Sequence, residues 1–372
     1  MAGSVLVIGL GDLGFHLLQF LARVPGISKI VTADINKEVG LVKTRDAIFG
    51  ASQQGFYPET SFTPINLYDI DGTSELLHDL NPDVICNVTT LMSWWVRHTL
   101  PAETYNKLAE AGSGPWVPMH LSLTHNLMQA IKKSGIDTRV VNCSFPDGVN
   151  PVLGKVGLAP AIGGGNTSLL IPPIKMVAAE KLHLPLSAVS VSFVGHHSVV
   201  TTGMKAPYWV RIFADNRDVT DMFPKDKLGE MVMKARSRGM GATGWSGPPP
   251  QQATASSFLR NVLAIYFDKH ELVHASGPKG LTGGFPVRLS YDTVDVIVPE
   301  GLTLDEAIKI NEDGAKWDGI EKIKSDGTLV LTDVAVRIMR ETLGYERTEY
   351  KVSESAIIAK ELLFIVKNRN VG

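Results

Sequence analysis

One segment at the start of the chain constrains the fold more than any other. Val5-Leu-Val-Ile8, a β-branched apolar run, leads directly into Gly9-Leu10-Gly11-Asp12-Leu13-Gly14. Phe15, Leu18, Leu21 and Ala22 then recur at helical spacing as far as Pro25-Gly26. An apolar run without polar alternation is the pattern of a parallel strand buried on both faces. Strand, G-x-G-x-x-G and helix, in that order, give each glycine a reason to be there. Gly9 makes the tight turn, Gly11 lets a pyrophosphate approach the backbone, and Gly14 lets the helix pack closely on the strand. The unpaired N–H groups of the helix N-terminus then face the phosphates. A second strand, Lys29–Ala33, ends at Asp34, where an acid bonds a ribose 2′-hydroxyl and repels a 2′-phosphate. Taken singly, the glycines fit a plain turn and Asp34 a helix N-cap. Their order favours a dinucleotide site with preference for NAD over NADP.

The alternation continues. Thr63–Leu67, Asp83–Val88 and Thr138–Asn142 read as further strands, and Ser74–Leu80 and Ser122–Lys133 as helices. Repeated βα units predict a doubly wound parallel sheet, with ligands beyond the carboxyl ends of its strands. Asn87, Val88, Thr89 and Asn142 fall at such ends and are expected to line the cofactor crevice. Cys86 reads as an inert buried thiol, and Cys143 lacks a neighbouring base that would activate it. Between the fourth strand and the long helix lies Thr90–His120, which holds Trp94, Trp95, Arg97, His98, Trp116 and His120. This segment suits either a surface loop anchored by aromatic packing or a lid that brings the Arg97 cation to the substrate.

Composition narrows the class. The 372 residues are 44% hydrophobic and 20% charged, which suits a globular chain of about two lobes. We place a nucleotide lobe over 1–150 and an α+β substrate lobe over 151–372. The formal net charge of −2 advertises neither nucleic acid nor an anionic membrane as partner. Two cysteines exclude a disulfide scaffold and fit a reducing cytoplasm. The apolar stretches Leu169–Ile174 and Leu362–Val366 are too short to span a bilayer, and Met1–Ser4 lacks the positive region of a secretion signal. The expected partners are a small-molecule substrate and further copies of the chain, as a homodimer or homotetramer.

In the second half, Asn150–Gly165 reads as a loop-rich run and Ile174–Leu182 as a helix. Val189–Val194 alternates as an antiparallel strand should, and it ends at Gly195-His196-His197. Adjacent residues on a strand point to opposite sides, so one of the two histidines can face the crevice. Imidazole suits proton transfer near neutrality. Lys225–Arg238 reads as a solvated helix face, Trp245–Gln252 as a hinge loop, and Ala255–Tyr266 as a helix. Pro286–Leu289 and Val294–Val298 read as strands. Thr303-Leu-Asp-Glu306 is a capping box, Asp326-Gly327 a turn, and two helices close the chain.

These features resemble the lactate/malate dehydrogenase family. The likeness lies in the glycine fingerprint, in Ala178–His197 with its G-x-H ending, and in Pro286–Leu289, Val294–Val298 and Leu302–Ala307. The resemblance implies that His197 is the catalytic proton-transfer group; His196, adjacent to it, is a further catalytic candidate. The resemblance also implies that Arg97 is a loop arginine polarising the substrate carbonyl. The family's L-D-x-x-R, which supplies an aspartate partner and a carboxylate clamp, is replaced by Leu170-Ile-Pro-Pro-Ile-Lys175, so simple lactate or malate is not the expected substrate. Trp94, Trp95, His120 and Lys175 are the expected substrate contacts, with Arg211 and the Gly163–Gly165 amides as further polar candidates. Leu67–Asp83 is also similar to short-chain epimerases and saccharopine-type reductases. The expected activity is NAD-dependent hydride transfer at a carbinol or carbonyl carbon. The alternatives are a metal-dependent glycosidase on the same fold, for which Gly157–Pro160 lacks the cysteine, and an inactive nucleotide sensor.

Overall fold

A computed structural model describes residues 3–240 and 251–369. Its first sheet is parallel and six-stranded. The strands are β1 (Ser4–Ile8), β2 (Lys29–Asp34), β3 (Glu59–Pro64), β4 (Val84–Asn87), β5 (Arg139–Asn142) and β6 (Ile162–Gly163), in the order β3-β2-β1-β4-β5-β6. This is the doubly wound order. The helices between them are α1 (Asp12–Leu21), α2 (Lys37–Ser52), α3 (Ile70–Leu80), α4 (Ala102–Glu110), α5 (Pro118–Ser134) and α6 (Pro146–Lys155). Leu6 and Ile8 pack on one face of the sheet and Val5 and Val7 on the other, which is why β1 is apolar without alternation.

Two expectations shift here. The third strand lies at Glu59–Pro64 rather than 63–67. It is the sheet edge, so its half-polar pattern and terminal proline are tolerated. Much of the stretch read as loop at 150–165 is structured. Helix α6 begins with Pro146 in its first turn and runs on through Pro151, and β6 follows. A proline in the first turn is preorganised for helix; Pro151, deeper in, made the sequence look like a breaker.

The remaining chain forms α7 (Ile171–Leu182), β7 (Val189–Gly195), the single turn α8 (Ser198–Thr201), β8 (Tyr208–Ala214), β9 (Arg217–Asp218), α9 (Lys225–Met240), α10 (Gln252–Tyr266), β10 (Glu271–Ser276), β11 (Gly284–Leu289) and β12 (Val294–Val296). Its antiparallel sheet has the order β10-β11-β7-β8-β9. The elements α11 (Leu304–Trp317), β13 (Ile320–Ile323), β14 (Leu329–Leu331), α12 (Asp333–Leu343), β15 (Glu349–Tyr350) and α13 (Ser355–Arg369) follow, with a small antiparallel sheet β13-β14-β15. The Thr303/Glu306 capping box opens α11 as its sequence predicts. The second half returns to the first sheet on both faces. Phe258 and Val262 of α10 join the core of Val5 and Val7, while Ile358 and Leu362 of α13 join that of Leu6 and Ile8. Of the expected hinge loop, residues 245–250 lie outside the described residues. Among the described residues no helix is long and apolar enough to cross a membrane.

Candidate active site

The strand order reverses between β1 and β4, so a crevice opens beyond their carboxyl ends. Gly9 leaves β1 with φ +94°, where a Cβ would stand 2.9 Å from the Val88 carbonyl. A Cβ on Gly14 would lie 1.9 Å from the Gly9 oxygen, so α1 can approach its strand only with glycine there. A Cβ on Gly11 would meet nothing within 4 Å and would project into open space. That space is a crevice lined by Gly11, Asp12, Leu13, Gly14 and Val88, the cradle a pyrophosphate requires. Asp34 at the end of β2 accepts the Leu10 N–H, next to Gly11, at 2.7 Å and the Asn36 N–H at 2.9 Å. Each carboxylate oxygen keeps acceptor capacity for a ribose hydroxyl. The residues present therefore fit a dinucleotide.

Asn87 and Asn142 take a different role from the one expected. They are paired neighbours on β4 and β5, both fully buried, and their amides are spent on each other, on Thr124 and on Asn150. Thr89 donates its hydroxyl to Asn87 at 2.7 Å. These three brace the strand ends beneath the crevice rather than line it; the lining at this point is Val88 and Thr90.

Next to the glycine crevice lies a cavity of about 380 Å³. Leu13, Trp94, His120, Cys143 and Gln251 line both spaces, so the two communicate. His197 reaches the cavity with its side chain 18% exposed, whereas His196 is fully buried behind it and does not line the cavity. The pair is sorted where the chain leaves β7 at Gly195 and turns at His197 into α8, and His196 is no candidate for substrate contact. Its Nδ1 instead stands 3.7 Å from the Asp318 carboxylate.

Asp318 is the residue the sequence did not disclose. It follows α11 directly, is fully buried, and its Oδ2 lies 2.6 Å from His197 Nδ1. Its Oδ1 accepts the Ser113 N–H at 2.8 Å, and its carbonyl accepts the Gly114 N–H at 2.7 Å. A Cβ on Gly112, φ +74°, would come within 2.3 Å of the Asp318 backbone, so the loop after α4 can clamp the aspartate only with glycine there. Burial favours the neutral acid, but His197 and then His196 outweigh it and hold Asp318 well below the usual carboxylate range. Burial likewise disfavours an imidazolium at His197, yet Asp318 overrides it and raises the His197 pKa above that of free imidazole. With Nδ1–H donating to Asp318, Nε2 is left to exchange a proton with whatever occupies the cavity. A second buried carboxylate, Asp147 on α6, accepts the His197 backbone N–H at 3.0 Å and a hydrogen bond from Asn166. The imidazole therefore has both its backbone and its ring fixed.

Arg97 sits on a 3₁₀ turn, Trp94–Thr99, and lines the same cavity. Its guanidinium carbon is 5.4 Å from the Trp116 ring centroid, and its Nε donates to the Trp94 carbonyl at 3.4 Å. Burial lowers its pKa, and Asp318 opposes this. His120 lines the cavity beside it and remains neutral: burial, then Arg97 and His197, push its pKa down to about 3. Cys143 lines it too, but burial lifts its pKa well above that of a free thiol. Trp95 faces only the glycine crevice.

Lys175 on α7 is not among the cavity residues, and no other residue of that helix is; α7 buries Pro173, Ile174 and Val177 instead. Arg211 is engaged by Asp218 and Glu300, and the Gly165 N–H by Ser257. Arg236 of α9, by contrast, does line the cavity, although its helix reads as a solvated face. The signal was spacing: Leu228, Val232 and Arg236 stand four apart, and the first two are core residues. Among the described residues no group of three His, Cys, Asp or Glu is placed to hold a metal ion, so the metal-dependent alternative gains no support.

No protein-family model matches the sequence, and no curated protein matches it by sequence. Solved structures match by shape. Malate dehydrogenase from Picrophilus torridus, in its apo form, superposes with TM-score 0.59 at 20% identity, covering 85% of this chain and 97% of that one. Lactate dehydrogenase from Cryptosporidium parvum, complexed with lactic acid and nicotinamide adenine dinucleotide, gives 0.60 at 17% identity over 86% and 98%. Lactate dehydrogenase from Eimeria maxima, with NADH and oxamate, gives 0.61 at 15% identity over 85% and 91%.

Proposed function

The chain has the fold of the lactate and malate dehydrogenases, and from that premise we propose that it is an NAD-dependent oxidoreductase. Its reaction moves a hydride between nicotinamide and a carbinol or carbonyl carbon of a small substrate other than lactate or malate. The observation that carries this reading is the Asp318–His197 pair, 2.6 Å apart, facing a cavity continuous with the glycine crevice. A bound nicotinamide would accept or deliver the hydride. His197 Nε2 takes the hydroxyl proton during oxidation and returns it during reduction, while Asp318 fixes the tautomer and stabilises the imidazolium. Arg97 meets the oxygen that gains charge during reduction, where a preorganised cation in a closed cavity acts most strongly. Asp34 favours NAD over NADP by repelling a 2′-phosphate.

In this reading residues 1–150, with α6 and β6 completing their sheet, serve the nucleotide and the rest of 151–372 the substrate, with Arg97 and His120 reaching across from the first to the second. Both cysteines are unpaired, in keeping with a reducing cytoplasm, and the chain works as a homodimer or homotetramer. A panel of hydroxy acids, alcohols, amino acids and sugars, followed at the nicotinamide absorbance, tests the activity. His197→Asn should lower turnover of the panel substrate used by roughly 10²–10⁴-fold with NAD affinity nearly intact. Normal turnover by that variant would remove His197 from the mechanism.

A further inference from the structure

The cavity holds a charge that the hydride chemistry does not use. Arg236 projects from α9, is half-buried, and lines the same cavity as His197 and Arg97. Arg97 is tied to the dyad: it is held over Trp116 and attracted by Asp318, and its charge is felt at His98, His120 and His197. Arg236 has neither an acidic partner nor a hydrogen-bond acceptor among the described residues, and burial alone acts on it, lowering its pKa. A guanidinium drawn partly out of water without a counterion is costly unless something brings the charge to it. Much of the cavity wall is apolar or aromatic, including Leu169, Trp116, Phe145 and Phe258. Trp116 is 3% exposed, and its indole N–H has no acceptor among the described residues.

We propose that Arg236 is a specificity-determining residue that receives an anionic terminus, carboxylate or phosphate, of an elongated substrate. The apolar body of that substrate lies along the aromatic wall, and its reacting carbon lies at His197. Asn166 also lines the cavity; one of its amide N–H bonds goes to Asp147, which leaves the second for such a group, whereas the Thr201 hydroxyl is spent on the Ser198 carbonyl. The position differs from that of Lys175, where sequence alone would look for the anion, and the planar guanidinium gives the two-pronged recognition that a lysine lacks. The inference rests on this cavity being the substrate site of the proposed oxidoreductase. It adds that the substrate carries its charge away from the carbon that reacts.

Binding without turnover tests it. The full-length protein is titrated with 3-phenylpropionate, benzylphosphonate and the neutral 3-phenylpropanamide, read by calorimetry and by quenching of tryptophan fluorescence. At least one anion should bind about 10-fold or more tighter than the amide, as expected of a charge-assisted hydrogen bond. Arg236→Gln should abolish that preference while leaving the affinity for the amide and for NADH unchanged, and Arg236→Lys should restore part of it. Which anion leads separates carboxylate from phosphate. An unchanged anion preference in Arg236→Gln, an equal loss for amide and anion, or no anion preference in the wild type overturns the assignment. His197→Asn separates the two claims. If it abolishes turnover while Arg236→Gln leaves anion affinity intact, the oxidoreductase reading stands and this inference falls. If anion binding depends on Arg236 but turnover never depends on His197, the hydride reading falls instead.

Discussion

The two ends of the ligand space are assembled in opposite ways. The glycine crevice draws Gly9, Gly11, Gly14 and Asp34 from one stretch of about 25 residues, and the Asp34 carboxylate bonds back to Leu10 at 2.7 Å. The neighbouring cavity gathers Arg97, His197, Arg236 and Asp318 from four separate elements, and its tightest contact, His197 to Asp318, joins residues 121 apart. A site held by one local turn can be disrupted by a local change. A site closed by distant segments depends on the packing that brings them together: here the Ser113–Gly114 loop against the end of α11. The two regions should therefore fail independently.

The largest expected effect tests that independence from the cavity side. Asp318→Asn keeps the volume and an oxygen for the Ser113 N–H but removes the charge opposite His197. Turnover should fall by roughly 10²–10⁴-fold, as for loss of general acid–base catalysis, with NADH affinity little changed. If nucleotide binding falls equally, the two regions are not separate. Gly14→Ala attacks the other side, since its Cβ would stand 1.9 Å from the Gly9 oxygen. Overpacking of this kind costs about 1–3 kcal/mol, so NADH affinity measured by fluorescence should fall by about 10–100-fold while the titration of His197 is unmoved. Asp34→Asn removes the repulsion of a 2′-phosphate. It should narrow the ratio of NAD to NADP affinity by about 10-fold, the size of one lost charge-assisted interaction; an unchanged ratio would remove Asp34 from cofactor choice.

The smallest effect is a shift along the pH axis. Reduction needs His197 protonated, so its kcat/KM should be level at low pH and fall as pH rises through the raised pKa of His197. Oxidation needs the neutral ring and should show the opposite limb. Removing Asp318 leaves burial as the dominant influence on His197, so both limbs should move to lower pH. A profile centred at the same pH in both proteins would mean that the proton passes through another group.

The same contrast explains what could be read before the structure was in view. The fingerprint was legible because its physics is local: turn, close approach and helix dipole all act within a few residues. Most of the parallel strands were legible from apolar runs buried on both faces; the exceptions are β3, whose edge position relaxes the pattern, and the two-residue β6, which is too short to show one. Asp318 was not legible. The chain has five Asp-Gly pairs, beginning at Asp71, Asp147, Asp313, Asp318 and Asp326. Asp326 only sets a turn, accepting the Thr328 N–H at 2.9 Å, and Asp313 meets two lysines at the surface, whereas Asp147 and Asp318 hold His197. No local feature distinguishes these pairs, because the difference is burial, which tertiary packing decides. Arg236 was within reach, since it continues the Leu228–Val232 stripe into the cavity, but its charged neighbours hid it. Strand geometry predicts opposite faces for His196 and His197, but β7 ends at Gly195 and His197 already turns into α8, so which ring faces the crevice needed the fold.

The central claim, that Asp318 makes His197 the proton-exchanging group, can be tested without knowing the substrate. The ring of His197 is titrated by NMR in the wild type and in Asp318→Asn, with His197→Asn to assign its signals. The wild-type pKa should lie above that of free imidazole, with the proton held on Nδ1 when the ring is neutral, and in Asp318→Asn it should fall below it. A His197 pKa at or below the free value in the wild type, or one that Asp318→Asn leaves unmoved, would contradict the account.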